Sequence, residues 1–221
     1  MKPRVSNGSR SQMEIAQRRL IESLSARIKD QRVIDAMART PREIFVPPQA
    51  QDLAYEDVPV SIGHQQTISQ PYIVAMMLAA LELQGHETVL EVGTGSGYQA
   101  VLLAQLARRV VTVERIAALA KEAEDRIRRL GCRNVRVEVA EGTLGCPRYA
   151  PYQGIIVAAA APTIPQKLLE QVSVGGRMVV PVGGRDEQDL KRVVKLENGF
   201  DVVGLGACRF VPLIGEDAWE E

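Results

Sequence analysis

A glycine-rich segment preceded by a carboxylate carries the most specific chemical signal in the sequence. It reads Glu91-Val92-Gly93-Thr94-Gly95-Ser96-Gly97 and lies at the end of a short apolar run, Thr88 to Val92. Between a parallel strand and a helix, such a turn is where a doubly wound sheet binds a nucleotide-like ligand. The spacing is GxGxG, not the GxGxxG of dinucleotide loops, and Glu91 would repel a diphosphate. The segment therefore favours a ligand that carries positive charge near the loop.

Two more acidic residues follow the apolar runs that come next in the chain. Glu114 follows Val110 to Val113, where an acid can accept hydrogen bonds from both ribose hydroxyls of a nucleoside. Glu141-Gly142 follows Val135 to Val139 and is predicted to meet the adenine edge. The alternative is that these acids end their strands by chance and contact only solvent.

S-adenosylmethionine fits this set of residues, because it carries an ammonium and a sulfonium group and has no phosphate. We therefore predict a site for this cofactor and no metal site. The predicted cofactor-binding residues are Glu91, Gly93, Thr94, Gly95, Ser96, Gly97, Glu114, Arg115, Glu141 and Gly142.

The elements that must position these residues alternate between short apolar runs and helical patterns. Starting at Thr88, five such runs are separated by helical segments, which is typical of a parallel sheet covered on both faces. Near the end of the chain, Leu190 to Leu196 and Val202 to Phe210 are linked by Glu197-Asn198-Gly199, an antiparallel hairpin signal. The sequence thus predicts an α/β, doubly wound, mostly parallel sheet with an antiparallel hairpin at its C-terminal edge.

Helical patterns also precede the glycine-rich segment and form an N-terminal extension. Residues 1 to 11 have no apolar period and are predicted to fray, whereas helical spacing begins at Met13 and recurs from Arg32 to Arg39. A further helix is predicted from about Gln70 to Leu83. We divide the chain into residues 1–84, a helical extension with a substrate-side segment, and residues 85–221, the cofactor-binding core, within one structural domain overall.

Composition limits the classes of partner. Lys plus Arg and Asp plus Glu both number 27, so no overall field attracts nucleic acid or an anionic membrane. The longest run without a polar side chain, Ile73 to Leu81, is too short for a membrane helix. Three cysteines and two histidines form no disulfide framework and no zinc motif, which favours a reduced, metal-free, cytoplasmic protein.

Several segments together resemble protein-L-isoaspartate O-methyltransferase, a family of class I S-adenosylmethionine-dependent methyltransferases. The likeness runs from about Met13 to Ile214, and the segment around Thr67 and Ser69 is more specific than the glycine loop. The segments that carry it are Pro41-Arg42-Glu43-Ile44-Phe45-Val46, Gln66-Thr67-Ile68-Ser69-Gln70-Pro71-Tyr72, Glu91 to Gln99, Val113-Glu114-Arg115-Ile116 and Arg209-Phe210-Val211-Pro212-Leu213.

This resemblance implies a seven-stranded Rossmann-like sheet and methyl transfer to the free carboxylate of L-isoaspartyl, and of D-aspartyl, residues in damaged proteins. It implies repair through a methyl ester and a succinimide, with isoaspartyl proteins and peptides as partners. We further expect a monomer. Thr67 and Ser69 are then the catalytic hydroxyls. From the sequence alone, Ser69 is equally well explained as the N-cap of the helix that follows it.

Three positions depart from the family pattern. Glu141-Gly142-Thr143 stands where Asp-Gly-Trp is usual, so the adenine lacks an aromatic neighbour. Gln65 replaces a common glycine, and Ala158 replaces a common threonine. None of the three removes a charge that carboxyl methylation needs.

Three other functions remain to be weighed. A methyltransferase acting on bases usually has an Asn or Asp with prolines after the fourth strand, where this chain has Ala158 to Pro162. A nicotinamide oxidoreductase is disfavoured by the GxGxG spacing and by Glu91. A protein that binds S-adenosylmethionine without transferring methyl is disfavoured by the intact segment around Thr67 and Ser69.

Overall fold

The computed structural model describes residues 7–139, 145–215 and 217–220, with side chains from residue 12 onward. Six helices and nine strands are found in these ranges, numbered here in chain order. The helices are α1 Asn7–Ser25, α2 Gln31–Arg39, α3 Pro71–Ala80, α4 Tyr98–Leu106, α5 Ala117–Arg129 and α6 Gln166–Gln171. The strands are β1 Val60–Gly63, β2 Gln66–Ile68, β3 Thr88–Val92, β4 Arg109–Glu114, β5 Val135–Val139, β6 Tyr152–Val157, β7 Val172–Gly183, β8 Gln188–Lys195 and β9 Phe200–Cys208.

The main sheet has seven strands in the order β5-β4-β3-β6-β7-β8-β9. The pairs from β5 to β7 are parallel, and β7, β8 and β9 are antiparallel, as the sequence predicts. The central strands are buried on both faces, which is why they appear in the sequence as mostly apolar runs. The chain leaves β3 toward β4 on one side and reaches β6 on the other. The carboxyl end of β3 is therefore the switch point at which such sheets bind ligands.

The hairpin between β8 and β9 follows its sequence signal. Lys195 pairs with Phe200, and the amide of Leu196 donates to the carbonyl of Gly199 at 3.0 Å. Gly199 has a φ of +99°, a conformation that glycine adopts readily.

The N-terminal extension packs on the core through α2, which contacts α3 and α4. Leu24, Val33 and Met37 are buried in the same apolar cluster as α4. Asp30 caps α2 by accepting from the amide of Arg32 at 3.0 Å. The predicted fraying of residues 1 to 11 is wrong for residues 7–11, because α1 begins at Asn7. Those residues carry no apolar period, so nothing in their pattern indicated a helix.

The stretch between α2 and α3 contains structure that the sequence analysis did not predict. Two 3₁₀ turns, Arg42–Phe45 and Pro48–Leu53, lead into an antiparallel hairpin of β1 and β2. The prolines at 47, 48 and 59 interrupt any regular period here, which concealed the hairpin. The next helix, α3, ends at Ala80 rather than Leu83.

Candidate functional site

A cavity of about 710 Å³ opens at the carboxyl ends of β3 and β4, beneath the β1–β2 hairpin. Two of its sides matter for function. We call the first the sheet wall, formed by residues 91–96 and 113–115, and the second the hairpin wall, formed by residues 64–70. Of the residues selected from the sequence, the cavity brings together Thr67, Ser69, Glu91, Gly93, Thr94, Gly95, Ser96, Glu114 and Arg115. Gly97 does not line the cavity, and Glu141 and Gly142 lie outside the described residues.

Two glycines of the loop have identifiable reasons to be glycine. Gly93 has a φ of +96°, and a Cβ added there would lie 3.3 Å from the Cβ of Ala158. Gly97 has a φ of +87° and precedes α4, where an added Cβ would lie 3.2 Å from the Cβ of Ala123 on α5. Gly93 therefore allows the loop its left-handed backbone close to Ala158, whereas Gly97 allows helix packing behind the loop.

Glu91 is fully buried at the centre of the sheet wall. The Thr112 hydroxyl donates to its Oε2 at 2.6 Å, and the hydroxyls of Thr94 and Thr112 are also 2.6 Å apart. The other carboxyl oxygen, Oε1, is buried and has no hydrogen-bond partner among the described residues. Burial raises the pKa of Glu91 to about 8, although the Thr112 hydrogen bond opposes this shift. A positively charged ligand in the cavity would supply the missing partner.

Glu114, the last residue of β4, holds the glycine loop by accepting backbone hydrogen bonds. Its Oε2 accepts from the amide of Gly95 at 2.8 Å, and its Oε1 accepts from the amide of Ile116 at 3.0 Å. The side chain lines the cavity while it holds the loop in place. Because each carboxylate oxygen has a second lone pair, both remain able to accept from ligand hydroxyls.

The hairpin wall carries the two predicted hydroxyls. Thr67 lies on β2 opposite Ser61, and its side chain is exposed. Ser69 is half-buried, and its carbonyl accepts from the Nη2 of Arg42 at 3.1 Å. The N-cap explanation of Ser69 is wrong, because α3 begins at Pro71 and its N-cap residue is Gln70.

Sequence reasoning missed several residues of the cavity. Gln99 is almost fully buried beside the glycine loop, and its Nε2 has no partner among the described residues. Phe210 and Val211 belong to the segment that closes the far side, where the Phe210 amide donates to Oε1 of Gln188 at 2.8 Å. Gln99, Phe210 and Val211 all lie in segments that carry the family resemblance. That resemblance was the signal in the sequence that could have identified them as cavity residues.

Among the described residues, the cysteines and histidines show no arrangement typical of a nucleophile or a general base. The cysteines at 132, 146 and 208 are free, and burial raises the pKa of Cys208, in the cavity lining, to about 11. His86 is largely exposed, and His64 lies exposed at the hairpin tip. In the part of the chain that the structure describes, no group of three His, Cys, Asp or Glu side chains could hold a metal. Within the same ranges, no helix has the length and apolar character to cross a bilayer.

The sheet order, the acid-flanked glycine loop at the switch point and the acid ending the next strand define an α/β protein of the Rossmann-like class. Residues 15–218 match the family model for protein-L-isoaspartate(D-aspartate) O-methyltransferase. The protein-L-isoaspartate O-methyltransferase of Dictyoglomus turgidum is 53% identical over 194 residues, 88% of each chain. That of Geobacter metallireducens is 49% identical over 209 residues, 93% of this chain and 97% of the relative.

Solved structures agree with this result. A structure of protein-L-isoaspartate O-methyltransferase aligns with a TM-score of 0.80 at 25% identity, over 91% of this chain and 67% of the other. A Plasmodium falciparum protein described as a putative member, in complex with S-adenosyl-L-homocysteine, has the same fold, with a TM-score of 0.78 at 24% identity. That alignment covers 90% of this chain and 98% of the other. The chain belongs to the protein-L-isoaspartate(D-aspartate) O-methyltransferase family.

Proposed function

We propose that this protein transfers a methyl group from S-adenosylmethionine to the free carboxylate of L-isoaspartyl, and of D-aspartyl, residues in damaged proteins. Family membership supports the reaction, and relatives at about half identity carry the corresponding name. One structural observation carries the proposal furthest. A single cavity joins the acid-lined glycine loop to the Thr67 and Ser69 segment, which stands more than twenty residues earlier in the chain.

The sheet wall is suited to hold the cofactor. Glu91 offers to a cationic group a buried carboxyl oxygen that has no partner among the described residues, and Glu114 offers acceptors to ribose hydroxyls. Gly93, Thr94, Gly95, Ser96 and Arg115 line the cavity beside these acids, and we propose that they contact the cofactor, with Glu141 and Gly142 for the adenine. Gly97, which lies outside the lining, supports the same loop from behind. When bound, S-adenosylmethionine supplies an electrophilic methyl group on a sulfonium.

The hairpin wall is suited to orient the substrate carboxylate. An unperturbed carboxyl group titrates near pH ~4, so it is already ionised at neutral pH and needs no general base. The hydroxyls of Thr67 and Ser69 can donate to one carboxylate oxygen and aim the other. Neutral donors fit this role, because the attacking oxygen loses charge as it takes up the methyl group. Positioning is the main contribution left to the protein, and it can amount to about 7–11 kcal/mol.

Chemistry beyond the enzyme completes the repair. In the methyl ester, the neighbouring backbone nitrogen attacks the ester carbonyl carbon. The carbon–oxygen bond to the methoxy group breaks, and the nitrogen's proton leaves with it as methanol. The resulting succinimide can then hydrolyse to the normal aspartyl linkage, so the enzyme needs to supply only the ester.

The partners and the compartment follow from composition. Balanced charge supports protein and peptide substrates rather than nucleic acid. Three free cysteines support a reducing, cytoplasmic location. We also propose that the protein acts as a monomer.

Matched peptides test the substrate assignment. Peptides containing isoaspartyl, aspartyl or isoglutamyl residues in one sequence are offered with methyl-labelled cofactor, and base-labile methyl ester is followed. The isoaspartyl carboxylate lies one methylene nearer the main chain than the aspartyl carboxylate, the isoglutamyl main chain is one methylene longer than the isoaspartyl one, and a misplacement of ~1 Å can slow transfer ~100-fold. We therefore expect labelling of the isoaspartyl peptide alone. Equal labelling of all three, or labelling only of RNA or DNA in parallel assays, would overturn the proposal.

A further inference from the structure

Arg42 is the largest fully buried side chain in the described part of the protein, with 1% of its surface exposed. It lies in the first 3₁₀ turn, outside the cavity lining. Burying a guanidinium carries a large desolvation penalty unless its donors are satisfied, and burial lowers the pKa of Arg42 from its ordinary value. An interaction that offsets this penalty is therefore expected around the side chain.

Two donor nitrogens of Arg42 reach three backbone carbonyls, those of Ala54 and Val58 before the hairpin and that of Ser69 after it, whereas its buried Nε has no hydrogen-bond partner among the described residues. Nη1 donates to the carbonyl of Ala54 at 2.5 Å. Nη2 donates to the carbonyl of Ser69 at 3.1 Å and approaches that of Val58 at 3.5 Å. Val58 precedes β1 and Ser69 follows β2, so one nitrogen lies between the two ends of the hairpin. The guanidinium thus ties the base of the hairpin that carries Thr67.

Asp57 binds the backbone shortly after Ser69, at Tyr72. Its Oδ1 accepts from the amide of Tyr72 at 2.8 Å, and its Oδ2 lies 3.4 Å from Nη1 of Arg27. The guanidinium of Arg27 also lies over the Tyr72 ring at 3.3 Å. The backbone from Ser69 to Tyr72 is therefore fixed at both ends by side chains from elsewhere in the sequence.

The same cluster reaches the helix that follows the glycine loop. The Cζ of Arg42 lies 5.8 Å from the ring centroid of Tyr98, the first residue of α4. Phe45 meets that ring edge-on at 5.3 Å. Arg42 therefore lies between the hairpin wall and an element anchored to the sheet wall.

We propose that Arg42 is a positioning residue for methyl transfer, which sets the hairpin wall at its working distance from the cofactor by holding the carbonyls of Ser69 and Val58. Asp57 supports it by holding Tyr72. This inference rests on the proposed roles of Thr67 and Ser69. An arginine is required because its planar fork reaches several carbonyls at once, whereas a lysine presents one compact ammonium on a shorter side chain.

Arg42→Met and Arg42→Lys test the proposal, with Leu24→Ala as the control for lost stability. Leu24 is fully buried in the same extension and outside the cavity. For each variant, kcat and KM for an isoaspartyl peptide are measured well below Tm, with the Kd for S-adenosylhomocysteine. We expect kcat per folded molecule to fall about 10- to 100-fold in Arg42→Met, on the scale of a ~1 Å misplacement, and less in Arg42→Lys. The Kd should stay within about twofold, and Leu24→Ala should keep its kcat.

If Arg42→Met does not fold, Asp57→Ala provides a second test of whether the contacts that hold the hairpin wall affect kcat. It removes the acceptor of the Tyr72 amide without leaving a cavity in the core, and its kcat should also fall while the Kd holds. A kcat equal to that of Leu24→Ala in every folded variant of Arg42 and Asp57 would overturn the positioning role. Ser69→Ala, run alongside, separates the two claims. If Ser69→Ala keeps full activity, the proposed function of the hydroxyl fails, whereas unchanged Arg42 variants beside an impaired Ser69→Ala overturn only the present inference.

Discussion

The sheet wall and the hairpin wall of the cavity are held in place in different ways. In the sheet wall, Glu114 binds the amide of Gly95 and Thr112 binds Glu91, so neighbouring strands stabilise the loop from within the motif. The hairpin wall is exposed at its tip and is fixed from outside by Arg42 and Asp57. The first arrangement can form wherever the motif ends a parallel strand, whereas the second depends on this chain's own extension.

This difference predicts a division between the two walls in their effects on cofactor binding and on catalysis. Changes in the sheet wall should act on cofactor affinity, and changes in the hairpin wall should act on the rate of transfer. The first three predictions below test that division, and the last two test the buried charge of the sheet wall and the backbone strain of the hairpin wall.

Gly95→Val should have the largest effect. Gly95 has a φ of +52° and lines the cavity, so valine would be strained and would narrow the site. We expect S-adenosylhomocysteine affinity to fall by more than about 100-fold in a folded protein, measured by calorimetry. Gly131→Val is the matched control, because its φ of +74° carries similar strain with nothing within 4 Å of an added Cβ. Equal affinity in the two variants would contradict the loop's role.

Glu114→Ala should weaken S-adenosylhomocysteine binding by about 1.5–3 kcal/mol, the usual range for a hydrogen bond to a charged group. The loss combines the ribose contacts with the freed amide of Gly95. Calorimetry on the variant and on Glu138→Ala, which removes an acid from the neighbouring strand β5, provides the comparison. An unchanged Kd in Glu114→Ala would remove this residue from the cofactor site.

Ser69→Ala should lower kcat for an isoaspartyl peptide by about tenfold, because one aimed hydrogen bond is worth roughly 1 kcal/mol or more. Its Kd for S-adenosylhomocysteine should not change. Since Gln70 is the N-cap residue of α3, the variant should also lack the ~1 kcal/mol loss of stability typical of a deleted cap. A large fall in Tm with full activity per folded molecule would restore the capping explanation.

Glu91 should make the stability of the ligand-free protein depend on pH. Its folded pKa of about 8 lies above the unfolded value of ~4.3, so the protonated form stabilises the fold. That contribution is present at acid pH and is lost as the pH rises through 8. We expect the wild-type Tm to fall between about pH 5 and 8, the interval between the unfolded and folded pKa values, more steeply than the Tm of Glu91→Gln. Parallel Tm curves for the two proteins would contradict the raised pKa.

Gln65→Gly should have the smallest effect and act on the hairpin alone. His64 and Gln65 have φ values of +52° and +58°, and each costs about 1–2 kcal/mol relative to an unstrained backbone. Glycine at 65 should raise stability by up to about 1 kcal/mol, seen as a rise in Tm of ~2–4 °C. Gln66→Gly, on β2 where no positive φ needs relief, should lower Tm instead. A fall in Tm for Gln65→Gly would show that the turn is not strained.

The two walls also differ in how far the sequence predicted them. The glycine loop and Glu114 could be recognised because strand, turn and acid follow one another at fixed spacing along the chain. The β1–β2 hairpin could not, because prolines interrupt its pattern and its geometry depends on contacts with Arg42, 16 to 27 residues away. Ser69 was found through the family resemblance, and its capping role was misjudged because Pro71 moves the cap by one residue.

The start of α1 escaped prediction for a related reason, and so did the side-chain amide of Gln99, which has no partner among the described residues. Each is determined by packing in three dimensions, and neither leaves a periodic signal in the sequence. The parallel part of the sheet, in contrast, was predictable because its central strands are buried on both faces and are mostly apolar, and the number of seven strands came from the family resemblance.

One experiment tests the separation of the two walls most directly: S-adenosylhomocysteine affinity and peptide kcat measured together on Glu114→Ala, Ser69→Ala and the double variant. We predict that Glu114→Ala changes the Kd and Ser69→Ala does not, and that the double variant has the Kd of Glu114→Ala. Ser69→Ala should alone account for the loss of kcat at saturating cofactor. A Ser69→Ala protein that loses cofactor affinity as strongly as Glu114→Ala, with kcat unchanged at saturation, would contradict the account.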